Sequence, residues 1–199
     1  MKIIGLTGGS GAGKGEVCKA FLRFGIKSID TDKISRDVTK KGGECRRELT
    51  ENFGGAILLP NGELDRKKLA EMVFACEEKT KILNKITHKY ILNECKSIIL
   101  NTQKSGKKAV IIDAPLLFES GFDKSCDVII AVISNLEKRF ERVAKRDNIT
   151  REQFTARISN QKSDEFFIEN SDYTIYNNSD YDGVCTQVEK TYKSIFGEK

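Results

Sequence analysis

Apolar residues gather into five runs of strand length, at residues 3–7, 26–29, 109–112, 128–133 and 173–176, with amphipathic stretches between them. Strands that alternate with helical patterns predict an α/β fold, a parallel sheet with helices on both faces. The run Ala109, Val110, Ile111, Ile112 is apolar at odd and even positions alike, as burial on both faces requires, and it ends on Asp113. In open parallel sheets ligands bind beyond the carboxyl ends of the strands, which makes Asp113 a candidate site residue.

From residue 42 to residue 106 the period turns helical, broken by Phe53-Gly54-Gly55 and by the turn Pro60-Asn61-Gly62. Ile82, Ile86, Ile91, Cys95, Ile98 and Ile99 recur at near-helical spacing and predict one long helix over 77–103. The expected organisation is a single domain: a core from about 1–40, 107–135 and 171–199, a helical insert over 41–106 and a helical lid over 136–170.

Directly after the first strand stands Gly8, Gly9, Ser10, Gly11, Ala12, Gly13, Lys14, Gly15, which fits G-x-x-x-x-G-K and lacks the closing Ser or Thr. Glycines let the backbone curl until successive N–H groups converge on one anion, and the following helix adds its positive end. Lys14 is placed to reach the β- and γ-phosphates of a nucleotide. At position 15 a hydroxyl would normally ligate Mg²⁺, and glycine has none. Either a water held by Asp113 or Asp32 replaces it, or another side chain fills the space; loss of turnover in a pure nucleotide binder is the third option.

After the second strand come Asp30, Thr31, Asp32, Lys33, Ile34, Ser35, Arg36. A carboxylate there can take the proton of an acceptor hydroxyl during phosphoryl transfer, and the competing role for Asp30 or Asp32 is a helix N-cap. Over 137–147, Phe140, Val143 and Ala144 share one helical face, with Lys138, Arg139, Arg142, Lys145 and Arg146 on the other. That basic face is either solvated or, through Arg142 and Arg146, a lid that clamps the transferring phosphate.

Charge sharpens this picture. The 34 Lys and Arg against 29 Asp and Glu give +5, and the window 138–162 alone, with eight basic and three acidic residues, supplies that excess. A triphosphate needs only such a local cluster, whereas nucleic acid calls for a wider basic face, so no nucleic-acid partner is expected. The opening Met-Lys-Ile-Ile-Gly-Leu-Thr-Gly is too short an apolar run for a signal peptide, no stretch approaches a membrane span, and six scattered cysteines without a C-x-x-C pair read as free thiols. A cytoplasmic protein without a membrane partner is expected, as a monomer or small homo-oligomer.

Taken together these residues resemble the dephospho-CoA kinase family through nearly the whole chain. The stretches that carry the resemblance are Leu6-Thr7-Gly8-Gly9, Ile29-Asp30-Thr31-Asp32 with Arg36, Phe53-Gly54, Gly62-Glu63-Leu64-Asp65-Arg66 with Leu69, and Asp113-Ala114-Pro115-Leu116-Leu117-Phe118-Glu119. Arg142, Arg146-Asp147, Gln161 and Asn177 continue it. Asp-x-Pro-Leu-Leu-Phe-Glu after an apolar strand is the most family-specific of these.

The resemblance implies ATP-dependent phosphorylation of the ribose 3′-hydroxyl of dephospho-CoA, with Mg²⁺ accompanying ATP. It implies Asp32 as base, Lys14 and Arg142 as γ-phosphate stabilisers, and Arg146 in the lid. Gly9, Ser10, Gly11, Ala12, Gly13, Lys14, Gly15 and Glu16 would bind ATP, with Asn177 near the adenine. Arg36, Asp65, Arg66, Leu116 and Leu117 would face the acceptor, and Asp113 would hold the metal through water. Two departures stand out: Gly15, and His88-Lys89 where the family usually has His-Pro. His88 is expected either to contact the substrate or to be structural. A P-loop nucleoside or nucleotide kinase of other specificity is the alternative, and a non-catalytic nucleotide-binding regulator a further one.

Overall fold

The computed structural model describes residues 1–40, 42–74 and 76–197; Lys41 and Ala75 of the predicted insert, with Glu198 and Lys199 of the predicted core, lie outside them. In chain order the main elements are β1 (Lys2–Thr7), α1 (Lys14–Leu22), β2 (Lys27–Asp30), α2 (Thr31–Val38), α3 (Glu44–Phe53), α4 (Arg66–Phe74) and α5 (Glu77–Lys104). There follow β3 (Ala109–Asp113), β4 (Val128–Ile133), α6 (Leu136–Asp147), α7 (Arg151–Ile158), α8 (Asp164–Glu169), β5 (Tyr173–Tyr176) and α9 (Tyr181–Phe196). Contacts divide the chain into two units, one built from Met1–Ile29 with the chain from Thr102 onward, the other from Asp30–Asn101.

In the first unit the five apolar runs pair in the order β2-β3-β1-β4-β5. β1 runs parallel to β3 and to β4, and β4 parallel to β5. The central β1 and β4 bury side chains on both faces because both are covered. Ile4, Leu6, Ile130 and Val132 meet Val17 and Phe21 of α1 and Val184, Val188 and Ile195 of α9 on one side. Ala131 and Ile133 meet Phe167 of α8 on the other, backed by Phe118 and Phe166. Register pairs Leu6 with Asp113, so the segment after β1 and the carboxylate that ends β3 leave the sheet at the same edge.

Local signals explain where the helices of this unit start and stop. Asn148 closes α6 in the left-handed conformation (φ 51°), a geometry Asn tolerates. Thr150 caps α7 in a reciprocal box with Gln153, and Ser163 caps α8 by accepting from Phe166 N. The link between α7 and α8 is short, and the Ser163 cap pins it where α8 begins.

The second unit has its own apolar centre, in which Cys45, Leu49 and Phe53 of α3 pack with Ile57, Leu69, Val73 and Ile86. The long helix runs as its period predicts, with Ile86, Cys95 and Ile99 inside, although Ile82 of the same stripe is exposed. No helix among the described residues is long and apolar enough to cross a membrane.

Gly5 in β1 is a position where packing leaves no room. A Cβ there would stand 2.9 Å from Cys126 Sγ and 2.9 Å from a Leu117 methyl. Gly5→Ala is expected to lower unfolding free energy by about 1–3 kcal/mol through overpacking, measured by urea denaturation; an unchanged midpoint would mean that Leu117 and Cys126 reorient freely.

Candidate active site

The loop between β1 and α1 shows how a glycine-rich segment is turned into an anion cradle. N–H groups that bind an anion must point inward, so the carbonyls must find partners elsewhere, and those from Gly8 to Gly13 do. Lys14 Nζ donates to Gly8 O (2.9 Å), Ala12 N to Gly9 O (3.1 Å), and Arg139 Nε to Ser10 O (2.9 Å). Arg142 Nη1 donates to Gly11 O (3.2 Å) and Ala12 O (3.3 Å), Asn177 Nδ2 also to Ala12 O (3.1 Å), and Glu16 N to Gly13 O (2.9 Å). Gly13 takes the left-handed conformation (φ 95°) and opens α1, whose first-turn N–H groups point back toward the loop.

Arg142, half-buried, is held besides by Ser134 Oγ (3.1 Å) and by the Asn177 carbonyl and side-chain oxygen (3.2 and 3.0 Å). Asn177, expected near an adenine, is fully buried and braces the loop from below, its Nδ2 also reaching Glu16 Oε2 at 2.6 Å. Arg146, one turn beyond Arg142, is exposed and chelates the neighbouring Asp147 at 2.7 and 2.9 Å. With Arg157 on its other side, Asp147 is held well below the usual carboxylate range.

Arg139 departs from the expected solvated face: it is 7% exposed, bonded to Ser10 and paired with Asp164 at 3.1 Å. Its helical spacing from buried Val143, i to i+4, was the available signal. Gln161, in the link between α7 and α8, accepts from Ser10 N at 2.9 Å. Cys18 was also unforeseen. Its thiol donates toward Asp113 Oδ2 at 3.8 Å, and burial first, with the Asp113 charge second, pushes its pKa up to about 12, so it stays protonated. All six cysteines are free thiols.

Among the described residues no three His, Cys, Asp or Glu side chains gather into a metal cage. A candidate protein donor is Asp113, half-buried at the end of β3 and in register with Leu6 of β1. That set fits Mg²⁺ arriving with a nucleotide, since this ion keeps several waters and takes one or two carboxylates alongside phosphate oxygens. Beside Gly15 there is open space, a Cβ meeting nothing within 4 Å. No other side chain has filled the place of the missing hydroxymethyl group.

In the second unit Asp30, not Asp32, caps α2, its carboxylate accepting from Lys33 N at 2.9 Å. Asp32 is left exposed in the first turn. Asp65 begins α4 in the same manner, accepting from Lys68 N at 3.0 Å. Arg66, exposed, donates to Thr39 Oγ1 (2.6 Å) and to the backbone carbonyl of Arg36 (3.4 Å), which ties the start of α4 to the end of α2. His88 is half-buried and neutral at pH 7, because burial lowers its pKa. Lys89 and Tyr90 both donate to Glu48, at 3.0 and 2.7 Å. Of the Leu116-Leu117 turn, in the first unit, Leu116 is exposed while Leu117 is fully buried beneath Gly5.

A parallel α/β sheet whose central strand feeds a glycine loop ringed by Lys14, Arg139 and Arg142 defines a P-loop phosphotransferase of the small-molecule kinase type. The dephospho-CoA kinase family model matches residues 2–182, and the chain belongs to that family. A dephospho-CoA kinase of Fusobacterium nucleatum is 42% identical, the alignment covering 98% of this chain and 99% of that protein. Among solved structures, a dephospho-CoA kinase from Campylobacter jejuni superposes with a TM-score of 0.71 at 26% identity, covering 99% of this chain and 98% of that one. A crystal structure from Thermus thermophilus superposes at 0.79, also at 26% identity, with 99% and 97% covered.

Gly15 sits in helical conformation in open space, so its flexibility is a cost without a packing return. Gly15→Ala is expected to raise unfolding free energy by about 0.5–1 kcal/mol, read from the urea midpoint; a lower midpoint would show that the helix start is strained.

Proposed function

We propose that the protein transfers the γ-phosphoryl group of ATP to the ribose 3′-hydroxyl of dephospho-CoA, releasing coenzyme A and ADP. The observation that carries the reading is the loop whose carbonyls from Gly8 to Gly13 are all tied down, by Lys14, Arg139, Arg142, Asn177 and the amides of Ala12 and Glu16, in a chain that belongs to this family over residues 2–182. Phosphoryl transfer asks for little covalent chemistry from the protein and much positioning and charge stabilisation. Lys14 and Arg142 supply positive charge where the γ-phosphate leaves its bridging oxygen, and the amides of α1 supply more. Gly9 to Glu16 and Asn177 build the ATP site, and Arg146 completes it from α6.

Asp32 takes the proton of the 3′-hydroxyl as the O–P bond forms; with Asp30 occupied as the cap, Asp32 is the carboxylate at the start of α2 left for this role. Arg36 and Arg66, held together by their contacts at the end of α2, suit the pyrophosphate of the acceptor. Asp65 acts by setting the start of α4 and so the placement of Arg66, while neutral His88 and exposed Leu116 offer uncharged contacts. Mg²⁺ bound with ATP would neutralise phosphate oxygens, with Asp113 holding it through a water. Substrates of this size and six free thiols suit a cytoplasmic enzyme.

A coupled ADP-release assay with a panel of acceptors tests the assignment. Turnover with dephospho-CoA well above that with nucleosides is expected, and activity restricted to a nucleoside or nucleotide would assign another specificity. Asp32→Asn should lower kcat by on the order of 10²-fold with ATP affinity nearly unchanged. Unaltered kcat in that variant would remove Asp32 from the proton path.

A further inference from the structure

We propose that Gln161 and Arg139 are positioning residues for phosphoryl transfer, clamping the two backbone polar atoms of Ser10 so that the helices α6 to α8 set the aim of the phosphate loop. The inference rests on the kinase reading above and assigns to these two side chains a task that no loop residue performs.

Ser10 is gripped on both sides. Its N–H donates to Gln161 Oε1 at 2.9 Å, and its carbonyl accepts from Arg139 Nε at 2.9 Å. The acceptor atom of Gln161 is the oxygen because a backbone N–H can only donate. The Ser10 amide is therefore engaged, which leaves an anion to the amides further along the loop and at the start of α1.

The clamp is stiff because each jaw is itself held. Arg139 is 7% exposed, and a guanidinium taken so far out of water needs its charge and donors satisfied; Asp164 Oδ1 at 3.1 Å and the Ser10 carbonyl do this. Asp164 opens α8, which is capped by Ser163 and anchored by buried Phe167 against Ala131 and Ile133 of the sheet. Gln161 lies in the short link before that cap, behind the C-terminal end of α7. The guanidinium also explains Gly9, which does not adopt positive φ: a Cβ there would stand 2.2 Å from Arg139 Nη2. A side chain at position 9 would have to displace that guanidinium.

Full-length wild type is compared with Gln161→Leu, which removes the acceptor at nearly constant volume, and with Arg139→Gln, which keeps an N–H donor but not the charge. Calorimetry gives ATP and ADP affinity, steady-state kinetics gives KM for each substrate, and adenosine serves as a competitive inhibitor without phosphates. Gln161→Leu should weaken ATP and ADP about tenfold, because a loop no longer held at Ser10 has to be ordered by the nucleotide itself. The KM for ATP should rise in parallel, while the KM for dephospho-CoA and the adenosine inhibition constant stay unchanged. Arg139→Gln should show the same selective pattern with a smaller loss. Unchanged ATP affinity in both variants would overturn the clamp, and so would an equal loss for adenosine, which marks general damage. Absence of ATP binding by the wild type would overturn the kinase reading and the clamp with it.

Discussion

A backbone loop that binds phosphate through its N–H groups has to dispose of its carbonyls, and this requirement organises the first unit. From Gly8 to Gly13 each carbonyl has a donor, and three of the groups doing it are cations. One arrangement thus satisfies the hydrogen bonds and raises the local positive potential. The glycines that make the curl possible have no side chains with which to fix it. Rigidity is imported instead from α6, from the end of β5 through Asn177, and from the link before α8. The catalytic value of such a loop lies in amides that need not reorganise when charge develops, which is what imported rigidity provides.

Asp113 ends a strand that is buried on both faces and has the protonated Cys18 thiol for a neighbour, a weak donor that adds no charge. A half-buried carboxylate at that place would suit an ion carried in by a nucleotide, because a full cage of carboxylates would hold the metal and repel a triphosphate. Open space beside Gly15 leaves the place of the missing hydroxymethyl group unfilled by any packed side chain.

In the second unit ordinary helix chemistry presents the candidate acceptor groups. Asp30 and Asp65 are spent on N-caps, and the residues just after them, Asp32 and Arg66, are thereby set in first turns with fixed backbone. Arg66 in turn reaches the end of α2, where it donates to Thr39 and to the backbone carbonyl of Arg36.

Much was legible from the chain alone. The strands, the long helix and the G-x-x-x-x-G-K loop were readable because each depends on local spacing: alternation and apolar run length, helical period, and glycines at set intervals. The order of family-specific motifs added the activity. Tertiary structure decided the matters that depend on what packs against a side chain. A charged face on α6 looks solvated in sequence, yet Arg139 is buried because Ser10, 129 residues away, lies over it. Gln161 carries no mark of its role until the fold brings it to an amide 151 residues distant. Two adjacent leucines are alike in the chain and opposite in the fold, Leu116 exposed and Leu117 sealed against Gly5. The physical reason is common to all three: spacing sets which face of an element a residue occupies, whereas burial and partnership are set by whichever distant segment covers that face.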